Sequence, residues 1–175
     1  ATAIYPVNEW VATNSRPGVL PTHYESIVMQ AVSDLSRQSD YVVVSVHWGV
    51  EREHNANAYQ QNYARALVNA GADIVVGHHP HVLEGMEVYK GSLIAYSLGN
   101  FVFTTATRAG QDSGILLVTL DDQGIAAAQL VPVFTDHGRP ELETGDDHDR
   151  ILTSLNGWSE RWGTVFDPKG YILLP

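Results

Sequence analysis

Three histidines at the ends of two apolar segments are the residues of this sequence best suited to chemistry. His47 follows an apolar run at 41–46. His79 and His81 follow a second apolar run at 73–76. The carboxyl ends of buried strands are where α/β folds place ligand-binding residues, and neutral imidazole is the commonest side-chain metal ligand. The sequence therefore predicts a divalent-metal site whose ligands are these three histidines.

The spacing of the His-Pro-His segment strengthens this prediction. In an extended chain, residues i and i+2 point to the same side, so His79 and His81 are expected to converge on one point. Pro80 restricts its own φ and favours an extended backbone at His79. His78 is then expected to point the other way and to support the site or pack. The competing interpretation is a solvated loop or a satisfied edge of the core, in which the histidines are neighbours without a ligand.

Two further polar residues near these segments are candidate catalytic residues. Glu51 follows His47 closely, and we expect it to act as a general base or to orient a metal ligand. Asn100 ends the next apolar run, where its amide is a candidate for contacting substrate. Each residue has a structural alternative, because Glu51 suits a solvated loop and an asparagine after glycine suits a turn.

The composition limits the classes of function. The chain has 175 residues, enough for one domain with a sizeable core. Ten basic residues against 20 acidic ones give a formal net charge of −10, which argues against a nucleic-acid or anionic-membrane surface. The sequence contains no cysteine, which excludes disulfides and thiolate metal sites. Its apolar runs are shorter than the roughly 20 residues that a transmembrane helix needs.

The periodicity of the first half predicts alternating helices and strands. A capping box at 22–25 opens a helix that ends near Arg37, and a second helix is predicted over 57–70. The continuous apolar run at 41–46 favours a strand buried on both faces, and the next strand is predicted at 73–76. This order implies a parallel βαβ crossover. The predicted apolar face of the first helix consists of Ile27, Ala31 and Leu35.

The second half has a different character. Turn residues between short apolar runs predict hairpins over 86–97 and 114–133. Helical spacing of large apolar residues predicts a helix over 147–162, and Pro and Gly predict a loop over 1–21. The expected fold class is α/β (α+β), with mixed β-sheets and outer helices. The chain is expected to form a single domain over 1–175.

Four motifs in this order and spacing resemble those of a known family. They are His47-Trp48-Gly49 with Glu51, Ala70-Gly71-Ala72-Asp73, Gly77-His78-His79-Pro80-His81, and Tyr96-Ser97-Leu98-Gly99-Asn100-Phe101-Val102-Phe103. The chain resembles the capsule-biosynthesis CapA family, which is linked to poly-γ-glutamate capsules and is similar to calcineurin-like metallophosphoesterases. The resemblance covers about residues 20–133.

This resemblance implies half of a four-layer αββα sandwich with a pair of divalent cations, Mn, Fe or Zn, between its sheets. His47 matches the family's separate histidine ligand, and His79 and His81 match its His-x-His pair. The superfamily's earlier motifs, which supply carboxylate ligands, have no counterpart here, so we expect this chain to be the C-terminal part of such a domain. The expected partners are the missing N-terminal half-domain, in the same protein or as a separate chain, and proteins of a capsule-synthesis complex. Contact with nucleic acid or membrane is not expected of this segment.

The function implied by the resemblance is that of a divalent-metal-dependent hydrolase or transferase in capsule or poly-γ-glutamate biosynthesis. A non-catalytic scaffold subunit of a polymer synthesis or export complex is the alternative from another class. A metal-dependent phosphoesterase or epimerase that acts on another substrate is a further alternative. The resemblance also implies a cell-surface location, tethered outside the cytoplasmic membrane.

Overall fold

The structure, a computed structural model, describes residues 2–3 and 8–174 and has an α+β fold. The strands are β1 (Thr2–Ala3), β2 (Leu20–Pro21), β3 (Val43–His47), β4 (Ile74–His78), β5 (Met86–Tyr89), β6 (Ser92–Ala95), β7 (Asp112–Asp121), β8 (Gly124–Asp136) and β9 (Arg139–Leu142). The α-helices are α1 (Glu25–Ser36), α2 (Ala58–Asn69), α3 (Arg108–Gln111) and α4 (Gly145–Ser159). Short 3₁₀ helices occur at Asn8–Trp10 and Glu160–Trp162.

Six strands form a mixed sheet in the order β2-β1-β3-β4-β6-β5. Strands β3 and β4 run parallel, with Val43 opposite Ile74 and His47 opposite His78. Helix α2 connects them, which confirms the predicted parallel βαβ crossover. Strand β6 also runs parallel to β4, whereas β5 pairs antiparallel with β6. The carboxyl ends of β3 and β4 therefore meet at one edge of the sheet, and both end in histidine.

Both predicted hairpins are confirmed. Strands β5 and β6 are joined at Lys90 and Gly91, whose φ angles of 54° and 83° suit the tight turn of a two-residue hairpin. Strands β7 and β8 pair antiparallel over a longer stretch than predicted, and β9 adds a third strand to that sheet. The sequence patterns did not predict β9 or the single turn of α3, because both are too short to show a period.

Helices α1 and α2 cover one face of the six-stranded sheet. Their buried residues join alternate residues of β3, β4 and β6 in one core. The residues of this core include Val28, Val32, Val44, Val46, Ala64, Leu67, Val75, Ile94 and Tyr96. Because these strands present β-branched or aromatic side chains to the helices at every second position, this face is tightly packed.

The other face of the sheet is covered over β5 and β6, where β8 and α4 pack against it. Leu93 and Ala95 share a second core with Leu130, Ile151 and Leu155. This core does not extend to β3, among the residues that the structure describes. Val43 is therefore exposed, and the prediction of a strand buried on both faces at 41–46 is wrong.

The start of α1 also differs from the sequence prediction. The helix begins at Glu25, and its N-cap, Tyr24, makes no capping hydrogen bond through its side chain. Thr22 lies two residues before this N-cap, and its N–H donates to the carbonyl of Ala3 in β1. A capping box does occur at α2, where the side chains and backbone N–H groups of Asn57 and Gln60 bind each other reciprocally.

The buried face of α1 lies one residue away from the predicted one. Val28 and Val32 are buried, whereas Ile27 and Leu35 are exposed. Both sets have the four-residue spacing of a helix face, so the period alone could not distinguish them. In α2, Tyr63 and Leu67 are buried, whereas Tyr59 is exposed.

The remaining segments need two corrections. The predicted loop over 1–21 contains the short parallel strands β1 and β2, and the loop prediction for residues 1 and 4–7 lies outside the described residues. The C-terminal helix predicted over 147–162 is α4 followed by a 3₁₀ turn. Across residues 2–3 and 8–174, none of the helices has the length and apolarity required to span a bilayer.

Candidate metal centre

The histidines that the sequence singled out lie at the carboxyl edge of the parallel strands. His47 is the last residue of β3, and His78 is the last residue of β4 in register with it. His79 and His81 follow in the loop after β4. The N–H of Trp48 donates to the carbonyl of His78 (2.9 Å), which keeps the two strand ends together beyond the sheet.

The backbone brings His79 and His81 together in a different way from the one predicted. The φ angles of His79 and His81 are 103° and 60°, so neither residue is extended. The prediction that Pro80 holds His79 in an extended conformation is therefore wrong. The loop instead turns sharply on either side of the proline, and positive φ at residues with a side chain is strained. Strain of this kind clusters at functional sites, where the surrounding structure sustains it.

Three side chains converge beside this loop. Potential ligand atoms of Glu51, His79 and His81 all lie within 4.8 Å of one another. The ring centroid of His47 is 4.6 Å from that of His79, which places a third imidazole next to the group. We call these four residues the histidine cluster. His79 and His81 are half-buried and Glu51 is exposed, so the cluster is open to solvent on one side.

Asn100 orients His81 through its side-chain amide. The Nδ1 of His81 lies 2.7 Å from Oδ1 of Asn100, and because this oxygen only accepts, Nδ1 must carry the proton. The Nε2 of His81 then keeps its lone pair for a ligand. The Nδ2 of Asn100 donates to the carbonyls of His81 (3.1 Å) and Gly110 (2.8 Å). Asn100 is thus a positioning residue in this geometry, and the predicted contact with substrate stays a prediction.

The cluster favours neutral imidazole at His47. Partial desolvation lowers the pKa of His47, although the residue is exposed at the end of β3, and repulsion from His79, His78 and His81 lowers it further. Burial alone lowers the pKa of His78. Because only neutral imidazole has a lone pair for a cation, both shifts favour the form of the side chain that binds metals.

A packed layer beneath the cluster supports its loops. The indole Nε1 of Trp48 donates to the carbonyl of Tyr96 (2.9 Å), and Trp48 is fully buried, so it is a core residue. Gly49 has a φ of 87°, and a Cβ there would lie 2.8 Å from Nε2 of Gln60. That same nitrogen donates to Oε2 of the fully buried Glu84 (2.7 Å).

Two features of the cluster have no clear sequence signal. Phe103 packs against His81, with the ring centroids 4.8 Å apart, although its position within an exposed loop did not suggest a contact. The N–H of Arg52 donates to the carbonyl of Pro80 (2.7 Å) and so ties the loop of Glu51 to the loop of His79. Contacts between two loops leave no periodic pattern, so the sequence could not predict them.

The donor set suits a divalent transition metal. Imidazole nitrogens with one carboxylate oxygen are typical ligands of Zn²⁺, and they also suit Mn²⁺ and Fe²⁺. The side-chain amide of Asn100, which accepts from Nδ1 of His81, is the type of group that fixes a metal-binding histidine in its tautomer. The residues present therefore fit the mononuclear part of the predicted site.

Comparisons with known proteins agree on one family. The family model described as "Bacterial capsule synthesis protein PGA_cap" matches residues 3–105, a range that includes the histidine cluster and Asn100. The PGA biosynthesis protein CapA of Bacillus subtilis (strain 168) is 42% identical over 131 residues, which cover 75% of this chain and 34% of that protein. The capsule biosynthesis protein CapA of Bacillus anthracis is 39% identical over 149 residues, which cover 83% of this chain and 36% of that protein.

A more distant relative carries a similar description. A probable polyglutamine synthesis accessory protein of Mycobacterium tuberculosis (strain ATCC 25618 / H37Rv) is 26% identical over 169 residues, which cover 88% of this chain and 44% of that protein. The chain thus spans less than half the length of each of these relatives.

Proposed function

The chain belongs to the bacterial capsule synthesis protein family, and from this premise we propose that it acts as a divalent-metal-dependent hydrolase or transferase on a capsule polymer such as poly-γ-glutamate. The observation that carries the proposal is the convergence of Glu51, His79 and His81 within 4.8 Å. When bound in such a site, a divalent cation polarises the carbonyl or phosphoryl oxygen of a substrate.

Each residue of the cluster has a distinct part in this proposal. His79, His81 and Glu51 hold the cation, and His47 is the adjacent fourth ligand. Asn100 keeps the Nε2 lone pair of His81 directed to the ligand side by accepting a hydrogen bond from its Nδ1–H. The exposed side of the cluster, where Glu51 lies, admits the substrate.

Further ligands and the location of the protein are part of the same proposal. We infer that a second cation would take its carboxylate ligands from a part of the family's longer proteins outside these 175 residues. The exposed half of the sheet beside His47 offers a surface where such a part can pack. We also propose a cell-surface location outside the cytoplasmic membrane, since the Bacillus relatives are named for capsule biosynthesis.

The metal content of the protein tests this proposal first. We expect elemental mass spectrometry of the dialysed protein to find a divalent cation, and His79→Ala or His81→Ala to weaken its binding at least about 100-fold. The matched control is His137→Ala, since His137 is a highly exposed histidine outside the cluster. Equal metal content in the unaltered protein and in all three variants would contradict the proposal.

A second assay separates catalysis from scaffolding. We expect chelator-sensitive cleavage or transfer of a γ-linked glutamate polymer, detected as new amino ends, and loss of this activity in the His81→Ala variant. A protein that retains the cation but turns over neither this polymer nor aryl phosphates would favour the scaffold function. That second candidate agrees with the description of the Mycobacterium relative as an accessory protein.

A further inference from the structure

A cavity of about 260 Å³ lies beside the histidine cluster, with one wall formed by α4. Three segments hold the cluster: the loop of Glu51, the loop of His81, and the turn from Asn100 to α3. Each of these segments also contributes a residue to the cavity lining. These residues are His54, Leu83 and Ala109. The cavity is therefore built on the same chain segments as the cluster.

The charged groups that line the cavity are two guanidiniums and one carboxylate. Arg150 binds Asp112 with two parallel hydrogen bonds of 2.7 and 2.9 Å, which neutralises that carboxylate. Arg108 reaches the same aspartate through Nε (3.3 Å) and reaches Glu143 and Asp147 through Nη2. Its Nη1 has no partner among the described residues. Asp147 also accepts from Nε of Arg150 (3.1 Å), and neither Glu143 nor Asp147 is among the residues that line the cavity.

The other end of the lining is aromatic and accepts hydrogen bonds. The ring of His54 stacks on that of Trp158, with centroids 4.3 Å apart and planes 10° apart. The Nδ1 of His54 lies 2.7 Å from the carbonyl of Leu83, so Nδ1 must carry the proton and Nε2 keeps its lone pair. Ile151 and Leu83 supply apolar surface between the two ends.

These three features match the chemistry of an acidic polyamide. A carboxylate suits the free Nη1 of Arg108, methylene groups suit Ile151 and Leu83, and an amide N–H suits Nε2 of His54. We propose that this cavity is a substrate subsite that binds one carboxylate-bearing unit of the polymer next to the unit held at the histidine cluster. The inference rests on the proposed function, because it assigns the substrate's neighbouring unit to that same site.

Binding of an unreactive probe tests the subsite without relying on metal or catalysis. The probe is a γ-linked glutamate hexamer, and titration calorimetry is done with a chelator in the buffer. We expect Arg108→Gln to weaken binding about tenfold, because a charge-assisted hydrogen bond is lost. Ser154→Leu, which fills the cavity without changing charge, is expected to weaken binding by a similar factor.

The controls match each change. Arg37→Gln removes the same charge from the exposed C-cap residue of α1, which does not line the cavity, and should leave the affinity unchanged. A hexamer whose free carboxylates are converted to amides should bind about tenfold more weakly than the acid. Circular dichroism confirms that each variant is folded, and Arg108→Lys replaces Arg108→Gln if that variant is not.

Several outcomes would overturn the inference. These are no binding by the unaltered protein, equal binding of the acid and amide hexamers, or unchanged affinity in both Arg108→Gln and Ser154→Leu. Such a result together with chelator-sensitive turnover would reject the subsite and leave the proposed function standing. Cavity-dependent binding without metal content or turnover would instead reject the enzyme and retain the binding site.

Discussion

The two faces of the six-stranded sheet differ in how far they are covered. On the helix-covered face, Val44, Val75 and Ile94 occupy one row across β3, β4 and β6, and they are 7%, 0% and 0% exposed. The neighbouring row on the opposite face is Val43, Ile74 and Leu93, and its exposed fractions are 58%, 5% and 0%. On the second face, β8 and α4 therefore leave β3 uncovered, and β3 is the strand that ends in His47.

This difference separates stability from access to the site. The covered face fixes the positions of β3 and β4 through a continuous core, and so fixes where their carboxyl ends lie. His47 lies four residues after Val43 in β3, so both side chains are on the open half of the other face. The rigid face thus positions the cluster, while the open face leaves room for a ligand or for another part of the protein.

The largest effect is expected from a methyl group added on the covered face. A Cβ at Gly77 in β4 would lie 1.9 Å from the carbonyl oxygen of Tyr96 and 2.3 Å from Nε1 of Trp48. Because one of these atoms belongs to the backbone of Tyr96, which directly follows β6, relief would require the two chain segments to separate. We expect Gly77→Ala to cost more than about 4 kcal/mol of unfolding free energy and to prevent folding, as measured by urea denaturation.

A second glycine provides the matched control. Gly157 in α4 has open space where its Cβ would lie, so Gly157→Ala should stabilise the protein by about 0.5–1 kcal/mol. A Gly77→Ala protein that unfolds at the same urea concentration as the unaltered protein would show that the covered face is less rigid than the structure indicates.

The sequence predicted the parts of this comparison that have a local signal. The βαβ unit, both hairpins and the residues of the cluster follow from apolar runs, turn residues and strand ends. The exposure of Val43 on the second face could not be predicted, because the run at 41–46 has the same composition whether one face or both are covered. The turns at His79 and His81 did not follow either, since tertiary contacts sustain them against the preference imposed by Pro80.

A buried carboxyl beneath the cluster is expected to give the next largest effect. Glu84 is fully buried, its Oε1 has no partner among the described residues, and burial raises its pKa from 4.5 to about 7. The folded state therefore binds more protons than the unfolded state between these values, and the stability falls as the pH rises through this window. Burial of Glu84 costs no stability through ionisation below the pKa of the unfolded state, and this cost is complete above the pKa of the folded state.

Removing this titration tests whether Glu84 causes the pH dependence. We expect Glu84→Gln to flatten the pH dependence between about pH 5 and 8 and to raise the unfolding free energy at pH 8 by up to about 3 kcal/mol. The exposed Glu160→Gln serves as the control and should leave the slope unchanged. Urea titrations at several pH values measure both, and a slope that survives Glu84→Gln would assign it to another group.

The smallest effect comes from two adjacent valines of β3 on opposite faces. Threonine has nearly the shape and strand propensity of valine, so its hydroxyl reports whether the position is buried. Val44→Thr should cost about 1–3 kcal/mol, because the hydroxyl lacks a partner in the core. Val43→Thr should change the unfolding free energy by less than about 0.5 kcal/mol. Equal costs for the two variants in urea denaturation would mean that a second copy or another part of the protein covers Val43, and the open route to His47 would then be closed from that side.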